Sequence, residues 1–460
     1  MKAILLCDFG STFTKVTAVD PEKEELIGTA AAFTTVESDI NDGFKLALER
    51  LQAQVNELEI VEIKACSSAA GGLRMAVSGL VPELTAEAAR TAALGAGAKV
   101  IRVYDHEMTD EDREELEAMK PDIFLLTGGT DGGNSACILE NAEVLAESSI
   151  TAPILVAGNR SAGRKIKNIL SAAGKEFTLC PNVMPRLDEL NIKPVQDLIR
   201  EIFLREIVKA KGLSSVSSMI SDIVMPTPAA VLAAVKLLSQ GTSGEEGIGD
   251  LIAVDPGGAT TDVYSISDGA PRDMTTVLKG LPEPREKRTV EGDIGMRYSL
   301  GGILEAAGCD KVAERAGLSE DEVLSLSEEL IKHKDKLPDN DKLQRLDDAL
   351  ASWAVEIAVT RHCGRVEEVY TPVGLTYAQY GKDLRGVEQM VVTGGALVRS
   401  PHTAEIVRHA QWTPSLPTSL RPERFHILVD RQYILSAMGV LAQSRPELAL
   451  KIMKKELSHE

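Results

Sequence analysis

Apolar residues along the chain recur in two rhythms, and the switches between them outline the fold. The run Ala3-Ile4-Leu5-Leu6-Cys7 is short and continuous, and Thr14 to Val19 alternates after the break at Gly10-Ser11, so the two predict a β-hairpin. A helix follows around Asp42 to Leu58. Short apolar strands then alternate with amphipathic segments: strands at Val61 to Cys66, Val100 to Tyr104, Ile123 to Thr127, Ile154 to Ala157 and Phe177 to Leu179, and helices near Glu111 to Met119, Ala136 to Ala146 and Ala162 to Ala173. That alternation is the signature of a parallel sheet covered by helices. Residues 70–190 are therefore expected to be a doubly wound α/β unit in their own right. Its glycine-rich strand ends, Thr127 to Gly133 and Ala157-Gly158-Asn159, fall where open α/β sheets bind ligands and partners.

The stretch Ser239 to Gly249 carries four glycines and little apolar content, which predicts a flexible connection. The expected division is thus 1–245 and 246–460. A second strand, Leu251 to Asp255, reopens the same order of strand, acid, glycine turn and strand, so two lobes on one plan are expected. Residues 319–361 are rich in helix formers and broken at Pro338, predicting helices joined by a polar turn. Leu350, Trp353 and Ile357 share one face there, as a core stripe does.

Composition narrows the class. With 460 residues and 44% hydrophobic content, two substantial cores can be buried. A net charge of −19 argues against nucleic acid and anionic lipid as main partners. Arg285, Lys287 and Arg288 beside two prolines are expected to be a solvated loop. The six cysteines form no CxxC pair, so most are expected to be buried, reduced thiols. The apolar start is too short for a signal peptide, and no run approaches the roughly 20 residues that span a bilayer. The expectation is a soluble, cytoplasmic protein without a membrane partner.

Three glycine turns carry the candidate chemistry. Asp8-Phe9-Gly10-Ser11-Thr12-Phe13-Thr14-Lys15 offers a strand-end acid for hydrated magnesium, backbone N–H groups and the Ser11 and Thr12 hydroxyls for phosphate oxygens, and Lys15 for their charge. Alone it also fits an ordinary hairpin turn. Asp255-Pro256-Gly257-Gly258-Ala259-Thr260-Thr261-Asp262 repeats the logic, with Gly257, Gly258 and Thr260 on phosphate and Asp262 a candidate base. The repetition favours two turns clasping ATP and sharing Mg2+ between the Asp8 and Asp255 carboxylates. A third strand, Met390 to Thr393, ends in Gly394-Gly395, where a flat base can lie on bare backbone.

The order of these elements resembles that of the actin, sugar-kinase and heat-shock-ATPase superfamily, a two-lobed α/β fold with a ribonuclease H-like repeat. The resemblance implies that Asp8 and Asp255 organise magnesium, that Gly394 and Gly395 line the adenosine, and that Pro228 to Leu238 and Tyr433 to Leu441 are hinge helices; Asp8, Asp255 and Asp262 are the expected catalytic residues. The whole chain further resembles the MutL family associated with adenosylcobalamin-dependent glutamate mutase, unrelated to the mismatch-repair protein of that name. Phe124-Leu125-Leu126-Thr127-Gly128-Gly129-Thr130-Asp131-Gly132-Gly133-Asn134 is the specific stretch.

That resemblance implies an ATP-driven reactivating chaperone whose partner is the mutase catalytic subunit. It also implies that residues 70–190 are similar to a cobalamin-binding domain, although no Asp-x-His-x-x-Gly loop is present to supply a cobalt ligand. A small-molecule kinase, with Asp131 or Asp262 as base, is the rival reading. The electron donor of radical dehydratases shares the loops, but Cys180 and Cys309 lack the clustered context an iron-sulfur bridge needs. Oligomeric state, including a homodimer, is left open.

Overall fold

The structure, a computed structural model, describes residues 1–10, 13–33, 40–55, 57–68, 73–187, 189–210, 222–273, 275–372 and 374–460. The chain forms two compact units. One comprises Met1–Lys23, Ile27–Val231 and Gly280–Pro284, the other Glu24–Leu26, Leu232–Lys279 and Arg285–Glu460.

The first unit opens with β1 (Lys2–Phe9), β2 (Phe13–Asp20), β3 (Glu25–Phe33), α1 (Ile40–Gln54) and β4 (Glu59–Ser67). The parallel unit follows as β5 (Arg74–Gly79), α2 (Glu87–Gly95), β6 (Lys99–Asp105), α3 (Asp110–Met119), β7 (Ile123–Leu126), α4 (Ala136–Glu147), β8 (Ile154–Val156), α5 (Gly163–Ala172) and β9 (Phe177–Leu179). Then come α6 (Lys193–Ala210), β10 (Asp222–Pro226) and α7 (Thr227–Gln240). The first sheet has the order β10-β4-β1-β2-β3, with β1 antiparallel to β2 and parallel to β4. The second has the order β6-β5-β7-β8-β9 and every pair in it is parallel. Counted from its own first strand this is 2-1-3-4-5, a doubly wound arrangement.

Successive strand residues point to opposite faces, and the parallel sheet shows what each face meets. Met75, Val77, Ile123, Leu125 and Leu155 join one buried cluster with Leu5, Cys7, Phe9 and Val16 of the first sheet. Ala76, Phe124, Leu126, Ile154 and Val156 join another with Leu116, Ile138 and Ile166 from the covering helices. The doubly wound α/β unit therefore shares one continuous core with the N-terminal sheet, a core that also contains Ala88, Ala89, Ala92 and Ala93 of α2, which packs on β5 and β6.

The second unit contains β11 (Leu251–Pro256), β12 (Thr261–Ile266), β13 (Thr276–Lys279), β14 (Glu286–Glu291), α8 (Leu300–Ala307), α9 (Cys309–Ala316), α10 (Glu320–Lys332) and α11 (Asp341–His362). After these come β15 (Arg365–Thr371), β16 (Gly374–Tyr380), β17 (Gln389–Val392), α12 (Gly395–Arg399), α13 (Thr403–Arg408), β18 (His426–Val429), α14 (Leu435–Ala442), α15 (Pro446–Glu456) and β19 (Ser458–His459). Its main sheet runs β14-β12-β11-β17-β18-β19, with β11 antiparallel to β12 and parallel to β17. The first sheet has the same plan: an opening hairpin, a third strand beyond it, and two parallel strands on the opening strand's other side. This is the duplicated α/β plan expected from the ribonuclease H-like repeat. A three-stranded sheet, β13-β16-β15, is an addition to it.

Two expectations are corrected. The glycine-rich 239–249 segment is a closed turn rather than a loose connection: Gly241, Ile248 and Gly249 N–H groups donate to Leu237, Leu238 and Ser239 carbonyls, terminating α7. Arg285, Lys287 and Arg288 are not a solvated loop. Lys287 and Arg288 lie on β14, and all three have acceptors: Arg285 reaches Asp250 and Asp268, Lys287 the His362 carbonyl, and Arg288 Asp262. The helices flanking Pro338 are α10 and α11, and Leu350, Trp353 and Ile357 belong to one core. Four of the six free cysteines are buried. No helix among the described residues is long and apolar enough to cross a membrane.

Candidate functional site

The first turn grows out of the β1–β2 hairpin. Asp8 sits opposite Lys15 on β2 and Cys66 on β4, and is only 5% exposed. The Thr227 hydroxyl, at the start of α7, donates to Asp8 Oδ1 at 2.6 Å. Burial and the Asp8 charge push the Cys66 thiol well above its ordinary range, so it stays protonated. Gly10 N–H donates to Phe13 O at 3.1 Å and closes the turn. A Cβ at Gly10 would lie 2.5 Å from that same oxygen, so a side chain has no room. Ser11 and Thr12 lie outside the described residues.

The second turn repeats this hairpin register and closure. Asp255 pairs with Asp262 across β11 and β12, the same seven-residue separation as Asp8 and Lys15. Gly257 N–H donates to Thr260 O at 2.8 Å, matching the Gly10 closure. The carbonyls of the turn face inward: Gly257 O accepts from Met296 N, and Gly258 O accepts from Arg297 N and Tyr298 N, at 2.8 to 3.0 Å.

Where the first turn has Lys15, the second has an anion already paired. Arg288 Nε donates to Asp262 Oδ1 at 2.8 Å, its Nη2 lies 2.7 Å from the same oxygen, and Thr260 Oγ1 donates to Asp262 Oδ2 at 3.3 Å. Burial presses against the Arg288 charge, yet Asp262 and Tyr264 hold it above the ordinary guanidinium range. Asp262 is thus arranged to orient Thr260.

The third element meets the second directly. Thr393 N–H donates to Val254 O, continuing the β11–β17 ladder to its end. Gly394 has φ +92°, and a Cβ there would lie 2.7 Å from Asp255 Oδ1 and 2.9 Å from Pro256 O. Bare backbone therefore lies against the Asp255 carboxylate, with Gly395 opening α12 beside it. The structure brings Asp255, Gly257, Gly258, Thr260, Asp262, Gly394 and Gly395 together in the second unit, and Asp8, Gly10 and Lys15 together in the first.

Several participants escaped sequence reasoning. Asp430 follows β18 as Asp255 follows β11's apolar run, so the strand-then-acid pattern was available to find it. It is 1% exposed, accepts from Thr393 Oγ1 at 3.1 Å, and takes Ile434 N and Leu435 N at the start of α14. That placement stabilises a carboxylate against a helix N-terminus. Tyr433, at φ +54°, is held by Asp430 O through its N–H. Burial pushes the Tyr433 hydroxyl up, partly offset by Arg399. Arg288 carried a misleading signal, since its partner is 26 residues away.

In the parallel sheet Asp131 is already engaged. Its Oδ1 accepts from Arg160 N at 2.9 Å and Asn182 Nδ2 at 3.0 Å, and Asn159 binds Gly132 N–H and the Gly133 and Asn134 carbonyls. These bonds make Asp131 a loop anchor.

The family described as MutL protein matches residues 4–457. Protein MutL of Clostridium tetanomorphum is 48% identical over 459 residues, covering 99% of each chain. Among solved structures, the chain is similar to the activator of the 2-hydroxyisocaproyl-CoA dehydratase from Clostridium difficile with bound ADPNP, at 10% identity and a TM-score of 0.31 over 99% of this chain and 95% of that one. It is similar to a glycerol dehydratase reactivase at 10% identity and a TM-score of 0.32, covering 96% and 100%. The xylulose kinase from Lactobacillus acidophilus stands at 11% and 0.35, covering 100% and 93%.

Proposed function

The chain belongs to the MutL family, and from that premise we propose that it is an ATP-dependent reactivating chaperone for an adenosylcobalamin-dependent mutase such as glutamate mutase. The observation that carries the nucleotide reading is the duplicated hairpin. Asp8 and Asp255 each stand two residues before a glycine whose N–H closes the turn onto a carbonyl three residues later. The donor set fits magnesium and phosphate: hard carboxylate oxygens at two strand ends, a lysine opposite one of them, and bare Gly394 backbone against the other.

In this reading Asp8 and Asp255 hold Mg2+ through water and serve hydrolysis. Gly10, Ser11, Thr12, Lys15, Gly257, Gly258 and Thr260 contact phosphate, and Gly394 and Gly395 line adenosine. Asp262 acts through Thr260, whose hydroxyl it orients. ATP hydrolysis is coupled to a conformational change that drives the reactivation. The partner is the mutase catalytic subunit, with the glycine-rich loops of the parallel unit as the place where specificity resides.

Inactivated mutase should regain turnover with this protein, ATP, Mg2+ and fresh adenosylcobalamin, and should not with ATP omitted. Equal recovery without ATP would overturn the chaperone reading. Stoichiometric transfer of phosphate to a sugar or carboxylic acid would replace it with the kinase reading.

A further inference from the structure

We propose that Asp347 and Asp348, adjacent on α11, are positioning residues that fix the second phosphate turn and the Gly394-Gly395 loop to a single helix. The inference rests on the reading that both loops bind nucleotide. Successive residues on a helix diverge by about 100°, so two neighbouring carboxylates can serve two different elements.

Asp347 serves the phosphate turn. Its Oδ1 accepts from Arg297 Nη1 at 2.7 Å, and the pair is buried, with side chains 8% and 11% exposed. Arg297 Nη1 also bonds Met296 O, and Nη2 bonds Lys336 O at 3.3 Å. The backbone of residues 296–298 is the segment whose three N–H groups occupy the Gly257 and Gly258 carbonyls. The turn is therefore fastened to α11 through one guanidinium. Lys334 Nζ, in the segment before α11, lies 4.2 Å from the ring centroid of Tyr298, which would meet a Cβ at Gly258.

Asp348 serves the other loop. Its Oδ1 accepts from Ser400 Oγ at 2.7 Å and Gln344 Nε2 at 2.9 Å, and its Oδ2 lies 2.7 Å from His402 Nδ1. Ser400 caps the end of α12, a helix of five residues that begins at Gly395. At 1.5 Å per residue, the anchor sits only about 8 Å along the axis from the glycine pair. Both loops thus take their positions from consecutive residues of one rigid element, the kind of supporting shell that sets site geometry.

Magnesium-ADP and adenosine, titrated into the full chain, separate the two roles because adenosine lacks phosphates. Asp347→Asn should weaken ADP about tenfold and leave adenosine unchanged. Asp348→Asn should weaken both by the same factor. Arg297→Lys and Ser400→Ala should reproduce each pattern in weaker form, and they decide the question if an Asn variant does not fold. Wild-type binding of both ligands with no such split between the two sets of variants would overturn the positioning roles. A wild-type protein that binds neither ligand would instead overturn the nucleotide reading.

Discussion

Thr227 donates its hydroxyl to Asp8 at 2.6 Å, joining positions 219 residues apart at the edge of the first glycine turn. A hydrogen bond to a charged group contributes about 1.5–3 kcal/mol, and Asp8 is too buried for water to replace it freely. Thr227→Val should lower the stability of the first unit by about that amount and weaken magnesium-ADP binding. Thr227→Ser should stay close to wild type in both. Urea unfolding and calorimetric titration read the two effects.

Gly394→Ala combines a strained backbone with a collision against Asp255 Oδ1 and Pro256 O. It should reduce magnesium-ADP affinity by at least about tenfold, since the carboxylate must shift. Gly249→Ala is the control. That glycine also has positive φ, at +86°, but a Cβ there meets nothing within 4 Å. It should cost about 1 kcal/mol of stability from the backbone alone and leave binding intact. Equal effects of the two variants on binding would refute the assignment.

Arg288→Met leaves the Asp262 carboxylate, which is 13% exposed, with the Thr260 hydroxyl but without its counter-charge. Breaking a buried pair from one side costs about 3–5 kcal/mol, whereas replacing both partners with apolar groups recovers much of it. The single variant should therefore unfold at markedly lower temperature than Arg288→Met with Asp262→Leu. The double variant should still bind nucleotide less well, because Thr260 has lost its acceptor.

His362 lies fully buried at the end of α11, its ring nitrogens 2.8 Å from Thr289 Oγ1 and Ser265 Oγ. Burial, then the nearby Lys287 and Lys382 charges, hold its pKa well below 6.5. The folded ring stays neutral while the unfolded one takes up a proton below about pH 6.5. The unfolded state then binds more protons, so stability is full above that pH and falls as pH drops, by about 1.4 kcal/mol per pH unit from this group, until the folded pKa is reached. Urea midpoints at pH 7.5 and 5.0 should differ less in His362→Gln than in wild type. Identical differences would refute the role.

The hairpins and alternating strands were legible because each is a local apolar run of the right length, and the three glycine turns because acid and glycine lie within a few residues. Strand β5, Arg74–Gly79, was not, since its run Met75-Ala76-Val77 is short and begins on a charge. Helix α2 is Glu-Ala-Ala-Arg-Thr-Ala-Ala-Leu-Gly, and alanine gives little periodic contrast. The β13-β16-β15 sheet joins β13 to a β15–β16 hairpin about 100 residues later, with Val277, Tyr370 and Leu375 exposed, so no alternation marks it. Asp8 and Asp255 could be read from the chain. The groups that hold their turns, Thr227, Arg288, Arg297 and the α11 acids, are set by contacts that only folding creates.

The core common to the two sheets of the first unit bears on how this region can be dissected or exchanged. A fragment carrying only the parallel unit would keep α2 over β5 and β6 but lose Leu5, Cys7, Phe9 and Val16 from the core that Met75, Val77, Ile123, Leu125 and Leu155 share with them. Full burial of such a side chain contributes about 1.5–3 kcal/mol, so even a partial loss at several positions is large beside a domain stability of about 5–15 kcal/mol. The glycine-rich loops are thus not carried on a transferable cassette. The strand that bears Asp8 and the sheet that bears those loops form one foldon, whose amides should gain and lose exchange protection together.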